Sequence, residues 1–459
     1  MPSSIDNLAG TVSLPPMTSP INALLHGPLL STLIRLALPT VAVLFMTTVL
    51  SVAETYFVSA LGMDAIAAAS LVVPVMMLMT MVSNGGIGGG VSSAIARAVG
   101  AGRREDAESL AWHAMVIAIV AGGLFTLAAL LGGPVLYRSL GGSGRSLEQA
   151  ILYSDILFSG AIPFWLLMLL QAALRGAGNV KVPALIMLGG VVAGLLLSPA
   201  LISGGLGAPS LGVAGAGVAQ VLCNIAALVV AVMYMRFAGS NLRLRRYPLR
   251  REHFKAILGV GLLSTVNAAM SAMSITALTA AAGVGNVAAI AGYGIASRLD
   301  MLLVPVLFGF GTAAITLVGT SLGAGNVRRA RRIAWTNALF VAALAEIVGL
   351  TVAIFPRLWL GMFTDNPDVL VVGASYLHIV APFYGVIAII SGFYFAGQGA
   401  QRIAWPMAAG VTRFMCALAA MVLVCRGWAS LDSAFFLVAL GIVVAGGIST
   451  VGFKLVRWG

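Results

Sequence analysis

Charged residues are scarce in this sequence. Asp, Glu, Lys and Arg together make up 9% of its 459 residues, whereas hydrophobic residues make up 60%, and the mean hydropathy is +1.03. A typical soluble domain contains roughly 25% charged residues, because its surface faces water. This composition therefore excludes an ordinary soluble protein and predicts an integral membrane protein.

Cysteine is also rare, and the residue patterns typical of enzymes are missing. The three cysteines, Cys223, Cys416 and Cys425, lie in or at the ends of apolar stretches and give neither a disulfide framework nor a metal-ligand spacing. The sequence contains no nucleophile triad, no cluster of metal ligands and no glycine-rich loop after a strand. We therefore expect no enzymatic activity, no cofactor and no metal ion.

Long apolar stretches dominate the chain instead. A helix needs roughly 20 apolar residues to cross a bilayer. Twelve such stretches lie near residues 33–59, 65–97, 107–136, 148–173, 182–203, 211–237, 255–283, 287–320, 330–355, 369–396, 404–425 and 433–453. They are apolar throughout, which excludes the alternating pattern of a β-barrel. The expected fold class is an all-α integral membrane protein with twelve transmembrane helices.

Basic residues outnumber acidic ones, 26 to 14, and the formal net charge is +12. In a twelve-span arrangement most of them fall on one side, including those in 97–104, 236–255 and 328–332. Such an excess marks the cytoplasmic side of a membrane protein. We therefore predict that both termini lie in the cytoplasm and that the basic charge sets the orientation and contacts lipid rather than nucleic acid.

Two polar segments divide the chain. Residues 1–27 are rich in Ser and Pro and contain no Lys or Arg, so they lack the charged start of a signal peptide and are expected to form a disordered cytoplasmic tail. Residues 239–254 contain the run R-L-R-R-Y-P-L-R-R and are expected to form a basic cytoplasmic linker. The predicted lobes are therefore residues 28–238 and 255–459.

The same loop occurs twice. V-G-A-G-R-R-E-D-A-E-S-L-A-W at 99–112 and L-G-A-G-N-V-R-R-A-R-R-I-A-W at 322–335 are displaced by 223 residues. Six spans lie between equivalent positions, and this even number gives both halves the same orientation. We expect two parallel six-helix lobes, related by a pseudo-two-fold axis along the membrane normal, with a cleft between them. This architecture is typical of secondary transporters, and we expect a monomer.

Together with this loop pair, two further motifs resemble the multidrug and toxic compound extrusion (MATE) family. They are Q-x-x-L-R-G-x-G-x-x-K-x-P at 171–183 and E-T-Y-F-V-S-A-L-G-x-x-A-I-A-A at 54–68. The resemblance implies a V-shaped pair of lobes and ion-coupled efflux of amphiphilic, often cationic, organic compounds. Alternatives are a related two-lobe flippase for a lipid-linked sugar and a major facilitator transporter, although the acidic-then-basic loop of the latter is missing.

Glu54 is the most informative ionisable residue of the sequence, because it lies inside the first apolar stretch. Thr40, Thr47, Ser51 and Glu54 follow one another at spacings of 7, 4 and 3, which places them on one helical face. An ionisable residue inside a membrane span is costly unless it is neutral or paired, and it indicates function by default. The family has Asp fifteen residues after a proline, as Glu54 follows Pro39. We predict proton coupling by Glu54; a structural hydrogen bond is the alternative.

Two further titratable residues lie inside spans. Asp155 lies in the fourth stretch at a depth comparable with Glu54. We predict that both carboxylates couple protons, and they would titrate together if they shared one cavity; the alternative for Asp155 is a solvated acid at a helix start. His378 lies 223 residues after Asp155. It is predicted to line the substrate cavity, with a proton relay and a packed hydrogen-bonding role as the alternatives.

The first lobe departs from the family pattern in its cation-binding positions. Many members have Asp where Ser198 stands and Asn where this chain has Gly194, whereas Gln220 matches a third polar position. A sodium ion needs several oxygen ligands, whereas a proton needs one base. The sequence therefore favours protons as the coupling ion, with sodium as the alternative.

The second lobe is unusual in carrying cations inside its spans. Arg298 and Arg413 lie in the eighth and eleventh stretches, with Asp300 and Glu346 at nearby depths. They form either a structural charge network or a site for substrate or ion. In the seventh stretch Ser264, Asn267, Ser271 and Ser274 share one face. The predicted substrate cavity comprises Thr47, Ser51, Gln220, Asn267, Ser271, Arg298 and His378.

Overall fold

The computed structural model describes residues 20–204, 210–237, 242–285, 287–456 and 458. All regular structure in these residues is helical. The first lobe contains α2 (Leu29–Ser59), α3 (Met63–Thr80), α4 (Gly88–Gly100), α5 (Arg104–Ser139), α6 (Gly144–Ser159), α7 (Ala161–Gly176), α8 (Lys181–Ser203) and α9 (Val213–Phe237), and is preceded by α1 (Pro20–His26).

The second lobe repeats this order with two differences. It contains α10 (Arg251–Gly285), α11 (Val287–Gly323), α12 (Val327–Ile354), the short α13 (Arg357–Leu360), α14 (Pro367–Val380), α15 (Tyr384–Gly399), α16 (Ala404–Cys425) and α17 (Leu431–Leu455). One continuous helix, α11, takes the place of α3 and α4, and the short helix α13 is added. Each lobe has a main apolar core, and that of the second lobe also includes Leu33, Leu36 and Ala37 of α2. Trp165 and Phe158 are fully buried in the first lobe, and Tyr384 and Phe435 are fully buried in the second.

The described residues contain eleven helical segments long and apolar enough to cross a membrane. A twelfth consists of α6 and α7, which meet at a bend of 48°. Two other spans are irregular: the π-helical segment Met81–Ile87 joins α3 to α4, and the 3₁₀ turn Ala381–Phe383 joins α14 to α15. The prediction of an all-α membrane protein with six spans in each lobe is therefore confirmed.

The lobes meet at the end that carries the loops around residues 100–104, 242–250 and 323–327, here called the basic end. Glycines allow this contact, because Gly100 lies against the backbone of Thr320 and Gly323 lies against that of Arg97, where a Cβ atom would overlap the carbonyl oxygen. Close backbone approach through small residues is typical of membrane helices. Arg97 Nη1 also donates to the carbonyl oxygen of Ala400 at 3.2 Å.

The expected disordered tail needs a correction at its end. Residues 1–19 lie outside the described residues, but Pro20–His26 form helix α1. The physical reason is a double anchor: Leu24 is buried, and Arg329 Nη2 donates to the carbonyl oxygens of Leu24 at 3.0 Å and Gly27 at 2.8 Å. The segment before the first lobe is thus held by the second lobe.

The predicted linker lies on the first lobe. Residues 238–241 are outside the described residues, and α10 begins at Arg251, inside the predicted range 239–254. The backbone N–H of Arg250 donates to Nε2 of His113 at 2.8 Å, and Nδ1 of the same ring lies 2.7 Å from the carbonyl oxygen of Ser109. The imidazole of His113 is fully buried. The linker is therefore fixed by specific hydrogen bonds.

Candidate functional site

Glu54 lies on α2, five residues before this helix ends at Ser59. Its side chain is partly buried, and within the described residues it forms neither a hydrogen bond nor an ion pair. Tyr153 on α6 and Cys223 on α9 lie close enough to interact electrostatically with its carboxylate. The carboxyl group therefore lies where three helices of the first lobe meet, near the end opposite the basic end, and remains free to bind a proton or ion.

The polar face of α2 is satisfied mainly within its own helix. Thr47 Oγ1 donates to the carbonyl oxygen of Leu44 at 2.8 Å, and Thr47 is partly buried. Ser51 is exposed one turn later. This face therefore has small polar groups next to Glu54, and the hydroxyl of Thr47 is hydrogen-bonded within α2 rather than to a neighbouring helix.

The positions where the family has oxygen ligands hold few here. A Cβ atom on Gly194 would lie 3.3 Å from both methyl groups of Leu50, so an apolar side chain fills this space. The hydroxyl of Ser198 is buried and has no hydrogen-bond partner in the described part of the chain. Gln220 on α9 is partly buried. Of the three positions, Ser198 and Gln220 thus retain one side-chain oxygen each and Gly194 has none, so the first lobe offers fewer oxygen ligands than the family pattern.

Asp155 and Glu54 have different neighbours in the structure. Residues two apart on a helix point about 200° apart, so Tyr153 and Asp155 face opposite sides of α6. Asp155 instead lies near Tyr137, whose hydroxyl is 2.7 Å from Oγ of Ser154. The two predicted coupling carboxylates therefore have separate surroundings.

A polar cluster between the lobes, which the sequence reasoning missed, centres on Gln398. Gln398 Nε2 donates to Oγ of Ser264 at 2.9 Å, and the carbonyl oxygen of Gln398 accepts from Oγ of Ser93 at 2.6 Å. Tyr394 OH donates weakly to the carbonyl oxygen of Ser264 at 3.4 Å. We call these four residues the polar floor. The repeat contained a signal, because Gln398 corresponds to Arg175, which donates to Oδ1 of Asn84 at 2.8 Å.

The predicted polar face of α10 begins at this floor. Ser264 is buried, Asn267 is partly buried and Ser271 is exposed, so accessibility increases along the helix away from the basic end. Ser271 Oγ donates to the carbonyl oxygen of Asn267 at 3.1 Å. At 1.5 Å per residue, Ser264 and Ser271 are about 10 Å apart along the axis. This face therefore leads from the interlobe contact toward the opposite end.

In the second lobe Asp300 is held by a tyrosine cage, formed by Asp300, Tyr376 and Tyr384. Tyr376 OH donates to Oδ2 of Asp300 at 2.6 Å, and Tyr384 OH donates to Oδ1. The charge of Arg413 on α16 acts on the same carboxylate. Tyr376 also packs edge-to-face against Tyr293, with ring centroids 5.3 Å apart. Asp300 therefore joins three helices of this lobe through hydrogen bonds and charge.

Glu346 on α12 has a different partner. Its Oε2 accepts from the backbone N–H of Gly385 at 2.6 Å, just after the 3₁₀ turn that separates α14 from α15. Such a break leaves backbone donors without a helical acceptor, and a carboxylate satisfies one of them. Arg298 and His378 are exposed, and neither forms a hydrogen bond or ion pair among the described residues. Arg298 therefore stands apart from the network.

Comparisons with known proteins agree with this architecture. The MatE family model matches residues 39–200 and 263–424, once in each lobe. The chain is 26% identical over 383 residues to the probable multidrug resistance protein NorM of Thermotoga maritima, covering 82% of this chain and 81% of that protein. It is 25% identical over 376 residues to the FAD transporter of Shewanella oneidensis, covering 80% of this chain and 82% of that protein.

A solved structure shows the same fold. It is described as the outward-facing conformation of a multidrug resistance MATE family transporter of the MOP superfamily. The TM-score is 0.82 at 25% sequence identity, over 94% of this chain and 96% of that chain. The two-lobe arrangement of twelve spans is therefore shared along almost the full length of both proteins.

Proposed function

Because the chain belongs to the MatE family of transporters, we propose that it is a secondary active antiporter that exports amphiphilic, cationic organic compounds in exchange for protons. Its similarity to proteins named for multidrug resistance supports export of drug-like compounds. Family membership argues against the major facilitator and enzyme alternatives. The partners are then small organic molecules, protons and membrane lipid.

The observation that carries the proton-coupling proposal is the isolated carboxyl group of Glu54. It is partly buried in an apolar span and has no hydrogen-bond or ion-pair partner in the described chain. A group of this kind changes its interactions with the surrounding helices when it gains or loses a proton. Coupling requires that proton and substrate favour different states of the lobe pair, or compete for one site.

Protons rather than sodium fit the surroundings of this carboxyl group. Leu50 fills the space beside Gly194, and the hydroxyl of Ser198 has no partner within the described residues. A dehydrated sodium ion would need several oxygens there, whereas protonation needs only Glu54. We assign Asp155 a secondary role in proton coupling, because its partly exposed side chain lies on another side of α6.

The proposed substrate cavity lies between the two lobes. The first lobe contributes Thr47, Ser51 and Gln220, and the second contributes Asn267, Ser271, Arg298 and His378. All seven are partly or fully exposed, as residues that contact a substrate must be. The polar floor closes this cavity toward the basic end. The positive-inside rule makes the basic end cytoplasmic, and we propose a monomer in the bacterial inner membrane with both termini in the cytoplasm.

A flavin dinucleotide is a second candidate substrate. One relative is named FAD transporter, and its namesake compound carries a negatively charged pyrophosphate. Arg298 is exposed and has no acidic partner among the described residues, so it offers a cation to such a group. An exposed arginine repels a cationic drug and attracts the pyrophosphate of FAD. Comparing transport of the two compounds therefore distinguishes the two candidate substrates.

Efflux from proteoliposomes tests the proposal. The purified protein is reconstituted, and export of a fluorescent organic cation and of FAD is followed under separately imposed proton and sodium gradients. We expect cation export with a proton gradient in the absence of sodium, and little with sodium alone. Sodium-driven export at constant pH would overturn proton coupling. A flippase for lipid-linked sugars would move neither compound under either gradient.

A further inference from the structure

The two copies of the repeated loop carry opposite charge. Glu105, Asp106 and Glu108 of the first copy correspond to Arg328, Arg329 and Arg331 of the second. Both loops begin a membrane span at the basic end, on α5 and α12 respectively. The same backbone position is therefore acidic in one lobe and basic in the other, and each loop needs a different partner.

Two of the three acids of the first loop form ion pairs with basic residues of the same loop. Arg103 Nη1 lies 3.1 Å from Oδ2 of Asp106, and Arg104 Nε lies 3.3 Å from Oε1 of Glu108. Glu108 also accepts from the hydroxyl of Tyr247 at 2.9 Å and from the backbone N–H of Arg243 at 3.2 Å. Asp106 and Glu108 of the acidic loop therefore have partners, and Glu108 binds the basic linker.

The second loop has only partial compensation. Arg329 donates to carbonyl oxygens at the end of α1, and Arg331 Nη2 donates to the carbonyl oxygen of Val456 at 3.1 Å. Arg328 and Arg332 are exposed, and no acidic side chain of the described residues pairs with either one. Two guanidinium groups on adjacent turns of one helix face therefore lack a counter-charge.

These two arginines line a cavity of about 720 Å³ between α1, the start of α2 and the start of α12. Its wall also includes His26, Arg329 and the apolar side chains of Leu25 and Leu29, and none of its ten lining residues is acidic. The volume lies within the range of roughly 300–1,000 Å³ seen for small-molecule sites. The cavity is therefore large enough for a polar headgroup, and its charge is of one sign.

We propose that this cavity binds the phosphate of an anionic phospholipid headgroup. The arginines supply charge and directed N–H donors, and the first turn of α12 adds its positive dipole end. Leu25 and Leu29 offer apolar contact next to the charged groups, as the glycerol end of a lipid requires. Both α2 and α12 are membrane spans that begin at this cavity, so a lipid reaches it from the bilayer.

Binding of lipid at this position has a structural consequence. The cavity joins α1 to the second lobe beside the hydrogen bonds from Arg329. A bound phosphate removes repulsion between the guanidinium groups and strengthens the contact of α1 with α12. Inorganic phosphate shares the chemistry of the lipid phosphate, so the experiment must separate the two.

The test measures bound lipid and thermal stability of the full-length protein in detergent. Phosphatidylglycerol, phosphatidylcholine or inorganic phosphate is added to wild type, to Arg328→Gln/Arg332→Gln and to the control Arg245→Gln/Arg246→Gln. The control removes the same charge from exposed linker positions outside the cavity. Native mass spectrometry counts bound lipids, and the midpoint of thermal unfolding reports stabilisation.

We expect wild type and control to retain phosphatidylglycerol in preference to phosphatidylcholine and to unfold at a higher temperature with it. The cavity variant should bind phosphatidylglycerol more weakly, on the order of tenfold, because two basic side chains near an anionic headgroup are lost.

Equal weakening in the control, or no preference for phosphatidylglycerol in wild type, would overturn the proposal. Equal stabilisation by inorganic phosphate at the same concentration would overturn lipid as the occupant. If the cavity variant is unstable, the wild-type preference and the single variant Arg332→Gln still decide.

Discussion

The two lobes share a fold but differ in the partners of the partly buried carboxylates within their spans, Glu54 in the first and Asp300 and Glu346 in the second. In the first lobe Glu54 has no hydrogen-bond or ion-pair partner among the described residues. In the second lobe Asp300 accepts from two tyrosines, and Glu346 accepts from the backbone of Gly385. An internal repeat therefore preserves the helical frame while one copy keeps a free acid and the other binds its acids into the structure.

This difference indicates where function and stability reside. A carboxylate with complete hydrogen bonding and a nearby arginine has little reason to release or accept a proton during transport. A carboxylate without partners gains nothing structural from its charge, so its presence in an apolar span needs another explanation. The comparison predicts that substitution of Glu54 affects transport, whereas substitution of Asp300 or Glu346 affects stability.

The largest effect is expected at Glu54. Glu54→Gln should reduce proton-driven efflux to the level of protein-free liposomes and leave the unfolding temperature unchanged, because Gln keeps the volume and a carbonyl oxygen but cannot carry a proton. Glu54→Asp is the matched control. It should keep substantial efflux with a shifted pH optimum, because it still titrates.

Transport and thermal stability are measured on the same preparations. If Glu54→Gln exports as well as wild type across the pH range, Glu54 is not the coupling group and the contrast between the lobes fails. If both variants lose stability, Glu54 serves packing, and the first lobe resembles the second.

A large effect on stability is expected at Asp300. Asp300→Leu leaves the buried hydroxyls of Tyr376 and Tyr384 without their acceptor and Arg413 without its counter-charge. Breaking a buried charge network in this way costs about 3–5 kcal/mol, so we expect a strongly lowered unfolding temperature and poor yield. Asp300→Asn retains one carbonyl acceptor and should lose less.

Transport per folded molecule separates structure from coupling here. Asp300→Asn should retain efflux when the rate is normalised to folded protein. Normal stability combined with lost efflux would make Asp300 a second coupling group and would contradict the structural assignment of the tyrosine cage.

The features of this molecule that depend on periodicity could be predicted from the sequence. Hydropathy and the 223-residue repeat predict the spans and their division into lobes, because each span must satisfy its backbone within itself. Glu54 was found for a similar reason, since the polar face of α2 is visible in the spacing of Thr47, Ser51 and Glu54.

The features that could not be predicted from the sequence depend on contacts between segments that are far apart in the chain. Tyr376 and Tyr384 bind Asp300 across 76 and 84 residues, and Gln398 bonds Ser264 across 134. No local spacing predicts such pairs. Glu54 and Asp155 lie at comparable depth in the sequence, but depth does not give the side of a helix that a residue occupies.

A moderate effect is expected at Glu346. Glu346→Ala leaves the backbone N–H of Gly385 without its acceptor, and an unsatisfied buried donor costs about 1–3 kcal/mol. Glu346→Gln retains an acceptor oxygen and should remain close to wild type in unfolding temperature. If Gln and Ala destabilise equally, the negative charge rather than the hydrogen bond is what this position provides.

The smallest effect is expected at Asp155, and it refines the comparison within the first lobe. Asp155 is partly exposed, lies beside Tyr137 and faces away from the side of α6 that contains Tyr153. Its proposed role is to assist proton exchange with Glu54 rather than to carry the coupled proton. Asp155→Asn should therefore lower proton-driven efflux only a few-fold and alter its pH profile, with no change in unfolding temperature.

The control is Ser154→Ala, which removes the hydroxyl partner of Tyr137 but keeps the charge and should leave the pH profile unchanged. If Asp155→Asn abolishes efflux as completely as Glu54→Gln, the two acids act as one unit despite their separate surroundings, and the first lobe contains two free carboxylates rather than one.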